Sequence, residues 1–227
     1  MMAIAIFVKT PGHSSVKTRL VRTVGRSLAE EWHRQAASTV AAVADAAKTG
    51  PVYWAVAEGD ALDHPLWRDH PAIGQGSGSL GERMANVHNR LVKHHGRALL
   101  LGADAPQLDP VWLKQAADWL IHDSPRTCIG PARDGGFWTF GANRCIDMTH
   151  WQAVTYSSDR TLTEFRHQMS GQGECLDLPE LTDLDVVEDV PELIAELRNL
   201  VDPHPRQVEL LRWIERAGLL QDQSSAT

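Results

Sequence analysis

Cysteine is scarce and scattered in this chain. Cys128, Cys145 and Cys175 are its three cysteines, and none is spaced C-x-x-C with another. Neither a zinc site nor a disulfide framework is indicated, and a reducing cytoplasm is the expected setting. Long apolar runs are missing as well. The N-terminal stretch MMAIAIFV ends at Lys9, too short for a signal peptide's apolar region with its flanks and far below the roughly 20 residues of a membrane span. The expectation is a soluble protein with no membrane partner. Positive charge is also in deficit: 22 Lys and Arg face 29 Asp and Glu, for a formal charge of −7. No basic block exceeds scattered pairs, so broad nucleic-acid binding has little support.

Several catalytic signatures are absent. The 11 histidines form no H-E-x-x-H, no G-x-S-x-G occurs, and no Cys/His pair stands out, so nucleophilic hydrolases are not supported. No G-x-G-x-x-G follows a strand. Gly74, Gly76 and Gly78 sit in a polar stretch instead, which argues against a dinucleotide site.

What remains is a chain of 227 residues with 43% hydrophobic and 22% charged content, enough for one α/β domain with a substantial core. Short apolar runs at 3–8, 52–57 and 98–102 read as buried strands, and 127–130, 137–141 and 174–178 as further ones. Helical periodicity marks 28–47, with Ser27-Leu28-Ala29-Glu30 as a capping box. It also marks 81–95, 110–122, 158–169, 190–200 and 206–217. Asp109-Pro110 offers an N-cap followed by proline at the first helical position, and residues 58–79 read as one long loop. Strands alternating with helices predict an α/β, doubly wound, mainly parallel sheet with helices on both faces. The domain is expected over 1–202, followed by a C-terminal helix and flexible tail over 203–227. The 8 tryptophans, including Trp112, Trp119 and Trp213, suit core packing and leave a homo-oligomer open.

Four stretches carry candidate chemistry. KTPGHSSVKTRL (residues 9–20) leaves the first strand like a phosphate loop, but it is no P-loop. Val16 stands where the second glycine is required, and the spacing is one residue short. Lys17 and Arg19, with nearby backbone N–H groups, still suit an anion at the end of an α/β strand. LLLGADAPQL (99–108) places Asp104 two residues past a buried strand, where a hard cation such as Mg²⁺ or Mn²⁺ could use it; a turn former is the plainer role. GPARDGGFW (130–138) sets Asp134 before Gly135 and Gly136, either as a tight turn or as a place where a ligand approaches the backbone. LTDLDVVEDV (181–190) carries Asp183 and Asp185, which share one face if the segment is a strand. Its Glu188 and Asp189 suit the start of a helix.

Taken in order with QGSGSLGERM (75–84) and TYSSDRTL (155–162), these motifs resemble the bacterial family DUF2064, within the nucleotide-diphospho-sugar transferase (GT-A, Rossmann-like) superfamily. The resemblance spans about residues 3–200. It implies that Pro11, Gly12, Lys17 and Arg19 grip a triphosphate, and that Gln75, Leu80 and Gly81 contact the base. It also implies that Asp104 and Asp185 hold Mg²⁺ or Mn²⁺ and that Asp134, Gly135 and Gly136 meet the second substrate. Phe137-Trp138 replaces the family's usual Tyr-Tyr. Asp183 to Asp189 keep the acids of D-x-D-T-P-E-D but lose its Thr and Pro.

The activity implied is a Mg²⁺-dependent nucleotidyltransferase. It moves an NMP from an NTP to a small phosphorylated, sugar-phosphate-like acceptor and releases pyrophosphate. A glycosyltransferase using an NDP-sugar on the same scaffold is the alternative, and a non-catalytic nucleotide-binding scaffold the second. The partners implied are a nucleotide and a small-molecule acceptor.

Overall fold

A computed structural model describes residues 1–217 and 219; the tail expected at 221–227 lies outside the described residues. The strands are β1 (Ala3–Val8), β2 (Val52–Val56), β3 (Ala72–Gly74), β4 (Ala98–Gly102), β5 (Arg126–Pro131), β6 (Phe137–Ala142) and β7 (Glu174–Asp177). The helices are α1 (Thr18–Val24), α2 (Arg26–Ala47), α3 (Leu80–His95), α4 (Pro110–Trp119), α5 (Met148–Gln152), α6 (Thr161–Met169), α7 (Val190–Arg198) and α8 (Pro205–Arg216).

Alternation in β1 decides which face each side chain serves. Ile4, Ile6 and Val8 enter one core with α2 and α4, while Ala3 and Ala5 enter a second with α3, α5 and α6. Both faces of β1 are buried, as expected of a central parallel strand. The seven strands form one sheet in the order β3-β2-β1-β4-β6-β5-β7. Only β6 runs against the rest; the pairs β1–β2, β1–β4, β2–β3 and β5–β7 are parallel. The expected doubly wound, mainly parallel sheet is therefore present. A third apolar cluster joins α1, α2, α7 and α8 through residues such as Leu20, Trp32, Leu193 and Ile214. The Gln207 amide of α8 donates to the carbonyls of Pro106 and Leu108.

Local signals explain most boundaries. Ser79 caps α3 reciprocally with Glu82: the Ser79 N–H donates to Glu82 Oε2 at 2.7 Å, and the Glu82 N–H donates to Ser79 Oγ at 3.3 Å. Asp109 Oδ1 accepts from the Val111 N–H at 2.8 Å and opens α4. Elsewhere the fold departs from expectation. Gly25, with φ of 82°, is at once the last cap of α1 and the first of α2, so Ser27 lies inside the first turn and makes no capping box. The stretch read as a single loop contains β3 and a 3₁₀ turn at Pro65–Trp67, elements too short to show periodicity. The helix expected to reach residue 122 ends at Trp119. Residues 182–186 are not a strand, so the alternation argument for Asp183 and Asp185 fails. Trp213 stacks on Trp32 with ring centroids 6.3 Å apart, and the Trp119 indole donates to the Thr127 carbonyl at 2.9 Å. No described helix is long and apolar enough to cross a membrane.

Gly81, at the start of α3, is a packing residue. A Cβ there falls 2.5 Å from the Trp151 carbonyl oxygen and 2.7 Å from a Tyr156 ring carbon. Glycine-to-alanine inside a helix ordinarily stabilises by up to about 1 kcal/mol. Gly81→Ala is expected to destabilise instead, by about 1–3 kcal/mol in urea unfolding, because the overlap is with backbone and a half-buried ring.

Candidate active site

The parallel strands β1, β2 and β4 deliver their C-terminal ends to one edge of the sheet, where ligands bind in open α/β folds. A cleft of about 860 Å³ opens there. Its walls come from the loop after β1 (Ser15, Val16, Lys17), the start of α1 (Arg19), the segment after β3 (Gln75, Gly78), the loop after β4 (Asp104) and the β5–β6 turn (Asp134). Residues 157–159 and Asp185 complete it. Of the residues singled out by sequence, Lys17, Arg19, Gln75, Leu80, Asp104, Asp134 and Asp185 line this cleft.

Pro11, Gly12, Gly81, Gly135 and Gly136 are not among the lining residues. Gly12, at φ of 88°, turns the chain between β1 and Ser15. Gly135, at φ of 87°, lies so close to the Asp159 backbone that no Cβ fits. Gly136 donates its N–H to Asp134 Oδ1 at 2.8 Å.

At the centre is the Lys17 ammonium. Lys17 occupies the left-handed region at φ 45°, ψ 48°, immediately before α1, and its side chain is only 5% exposed. Nζ lies 3.0 Å from Asp104 Oδ2 and 3.0 Å from Asp185 Oδ1, and Arg19 reaches Asp185 Oδ2 at 3.2 Å. Burial opposes the charge on Lys17. Asp104, Asp185 and Asp183 more than compensate, so its pKa lies above the ordinary lysine value. Asp104 mirrors this: burial pushes its pKa up, but Lys17 and then His33 hold it well below the usual carboxylate range. His33 Nε2 is 2.9 Å from the Lys9 carbonyl oxygen. A carbonyl only accepts, so Nε2 carries the proton and Nδ1 is the atom facing Asp104 Oδ1, 3.9 Å away.

Asp183 lies in the same neighbourhood. Burial, with Asp104 next in weight and smaller contributions from Asp134 and Asp185, raises its pKa to about 7, against the pull of Lys17. Two further acids hold the segment in place. Asp189 Oδ2 accepts from the N–H groups of Asp185 and Val186 at 2.8 and 2.9 Å. Glu196 accepts from the Thr182 hydroxyl at 2.8 Å and from the Gln107 amide at 2.8 Å. His33 and Asp189 are not marked as site residues by the sequence: His33 sits inside a helical repeat, and Asp189 reads as an ordinary helix-start acid. Asp183 is marked beside Asp185 as a candidate, on an alternation that the irregular segment does not have.

Among the described residues no three His, Cys, Asp or Glu side chains converge as a cage. The groups present still suit a hard cation that completes its shell with phosphate oxygens. Asp104 Oδ1 is buried without a hydrogen-bond partner, and Asp183 is crowded by like charge. Asp104 and Asp185 would be the holding residues, and Lys17 now neutralises both.

Two outcomes follow. Lys17→Met removes the cation already paired with Asp104 and Asp185, so Mn²⁺ should bind the free protein more tightly, by about tenfold or more in an EPR titration. For Asp183, the folded state keeps a proton up to about pH 7 that the unfolded chain has lost. The folded state therefore binds more protons through that window, and stability falls as pH rises across it. Asp183→Asn should accordingly raise Tm more near pH 8 than near pH 5.

Comparison with known proteins gives the chain a family and its fold relatives. No curated protein matches significantly. A structure from Desulfovibrio desulfuricans G20, provisionally named a nucleotide-diphospho-sugar transferase, is 26% identical, covers 97% of each chain and has a TM-score of 0.80. A cytidylyltransferase from Leptospira borgpetersenii is 12% identical, covers 100% of this chain and 99% of that one, and has a TM-score of 0.53. CMP:2-keto-3-deoxy-manno-octonic acid synthetase, solved with CTP, is 12% identical over 86% and 99% of the chains with a TM-score of 0.50. The last two show a shared fold, that of nucleotide-sugar transferases and cytidylyltransferases. The model of DUF2064, described as an uncharacterized protein conserved in bacteria, matches residues 34–158, more than half of the sequence, and the chain belongs to that family.

Proposed function

We propose that the protein is a Mg²⁺-dependent nucleotidyltransferase that moves an NMP from an NTP onto a small phosphorylated acceptor and releases pyrophosphate. The observation that supports this most directly is the meeting of the basic loop after β1 with the acids at the cleft. Lys17 Nζ is 3.0 Å from both Asp104 and Asp185, with Arg19 alongside. A triphosphate needs cations on its β- and γ-phosphates and a holding site for a hard metal ion, and this arrangement offers both kinds of group side by side.

In the proposed reaction an acceptor phosphate oxygen attacks the α-phosphorus. The new P–O bond forms as the bond to the α,β-bridging oxygen breaks, and that oxygen leaves on pyrophosphate with its electron pair. No covalent enzyme intermediate is required. Lys17 exchanges part of its pairing with Asp104 and Asp185 for the phosphates, and Arg19 takes up charge growing on the leaving group. A Mg²⁺ held by Asp104 and Asp185 would supply charge neutralisation on the phosphate oxygens. Gln75 is 96% buried, and its amide donates to the Val8 and Ala55 carbonyls at 3.3 and 2.8 Å. Its carbonyl oxygen is thus the end available to the nucleotide. The cleft is large enough for nucleotide and acceptor together.

A second reading, a glycosyltransferase using an NDP-sugar, draws on the likeness to the D. desulfuricans protein. It needs a diphosphate rather than a triphosphate grip. Incubation with each NTP, Mg²⁺ and a panel of sugar phosphates should release pyrophosphate. Lys17→Ala and Asp104→Asn should each lower kcat/KM by roughly 10²- to 10³-fold with an unchanged far-UV spectrum. Absence of pyrophosphate under every combination, together with turnover of an NDP-sugar, would instead establish the second reading.

A further inference from the structure

The loop that carries Lys17 is anchored by a residue that does not line the cleft. Glu58 lies just past the C-terminal end of β2, and its Oε2 accepts the Thr10 N–H at 2.9 Å. This bond ties down the first residue of the turn over residues 10–14. The turn closes on itself as well: the Thr10 carbonyl accepts from the N–H groups of His13 and Ser14, each at 3.0 Å. The Thr10 hydroxyl accepts from the Trp67 indole at 3.0 Å, and Thr10 is fully buried. Three residues past Ser14, Lys17 enters its left-handed conformation, and the path of the turn decides where its ammonium arrives.

A carboxylate is an unexpected choice behind a loop that would bind phosphate, since its charge repels the ligand. Burial alone would push the Glu58 pKa up, yet the hydrogen bonds from Ser14 and Thr10 hold it below the ordinary glutamate value. The group is therefore a charged acceptor at neutral pH. Its other oxygen, Oε1, is buried with no partner in hydrogen-bond range, which leaves the carboxylate dependent on the turn for its hydrogen bonds. A fixed anionic acceptor makes stronger bonds to N–H and O–H groups than a neutral one, and this gain is the physical reason to place it there despite the repulsion.

We propose that Glu58 is a positioning residue for phosphate binding: by holding the Thr10 N–H at the start of the 10–14 turn, from outside the cleft lining, it sets the Lys17 ammonium where a phosphate chain would meet it. This rests on the reading of the loop after β1 as a phosphate-binding loop. Through-space electrostatics and positioning predict opposite signs. If Glu58 acted only by its charge, neutralising it would tighten anion binding; if it positions the loop, the same change weakens it.

The experiment is isothermal titration of the full-length protein with inorganic pyrophosphate and Mg²⁺, with Tm recorded for each variant. Glu58→Gln and Glu58→Ala are expected to weaken binding, the latter by about ten- to a hundredfold, because displacing a positioned group by about 1 Å costs that order. Glu58→Asp should recover part of the loss. Trp67→Phe removes an indole bond to the same Thr10 but leaves the carboxylate, and should lower Tm while changing affinity by less than about twofold, within the scale of one neutral hydrogen bond. Unchanged or tighter binding by folded Glu58→Gln overturns the positioning role alone. So does Trp67→Phe weakening affinity as much as the Glu58 variants do, since the loss would then follow stability. Absence of pyrophosphate binding by the wild-type protein overturns the phosphate-loop reading, and the proposal with it.

Discussion

The buried ammonium of Lys17 is the interaction on which the site depends. A lysine with 5% of its side chain exposed is costly unless its charge is answered, and here Asp104 and Asp185 answer it at equal distance. Each partner arrives by a different route. Lys17 is carried by a turn at the end of β1, Asp104 by the end of the neighbouring parallel strand β4, and Asp185 by an irregular segment tied down through Asp189 and Glu196. Removing Lys17 leaves Asp104 without its lysine partner, while Asp185 keeps Arg19; removing either carboxylate leaves Lys17 with one close partner instead of two.

This charge network also gives the site its capacity for change. Lys17 is paired now with carboxylates, and a phosphate chain with a hard cation offers both sides new partners of the right sign. Asp183 is already crowded by like charge, and in the proposed function an added cation would relieve it. The surroundings hold the backbone of these groups while leaving their charged ends free to exchange. Asp189 fixes the Asp185 N–H, Glu196 fixes Thr182, and Glu58 fixes Thr10. Under the proposed function the cleft benefits from that division, because a preorganised backbone lowers the cost of orienting reactants.

Much of this was legible in order along the chain. The strands at Ala3–Val8 and Ala98–Gly102 are short apolar runs bounded by turn residues, and the chemistry of open α/β sheets directs attention to the polar residues just past them. Lys17 and Asp104 both stand there. Glu58 obeys the same rule after β2, but its surroundings read as a loop with no motif. His33 was hidden by periodicity: in a helix, a residue facing a ligand cleft and one facing another helix look alike. Gly81 and Gly135 show the reverse confusion, since a glycine required by close packing carries the same letter as one required by a ligand.

The sequence by itself determined the alternation of strands and helices, the doubly wound class and the loops at the strand ends. Each of these is written in local periodicity and turn chemistry. It also determined which chemistries lack their residues. Only the tertiary structure decided that Lys17 meets Asp185, a partner 168 residues away, that Asp183 is crowded, and that Asp104 keeps one buried oxygen without a partner. The physical reason is that backbone preferences act over a few residues. Electrostatic pairing and burial depend instead on which strand ends the sheet order brings to the same edge, and that order is set by packing of the whole chain.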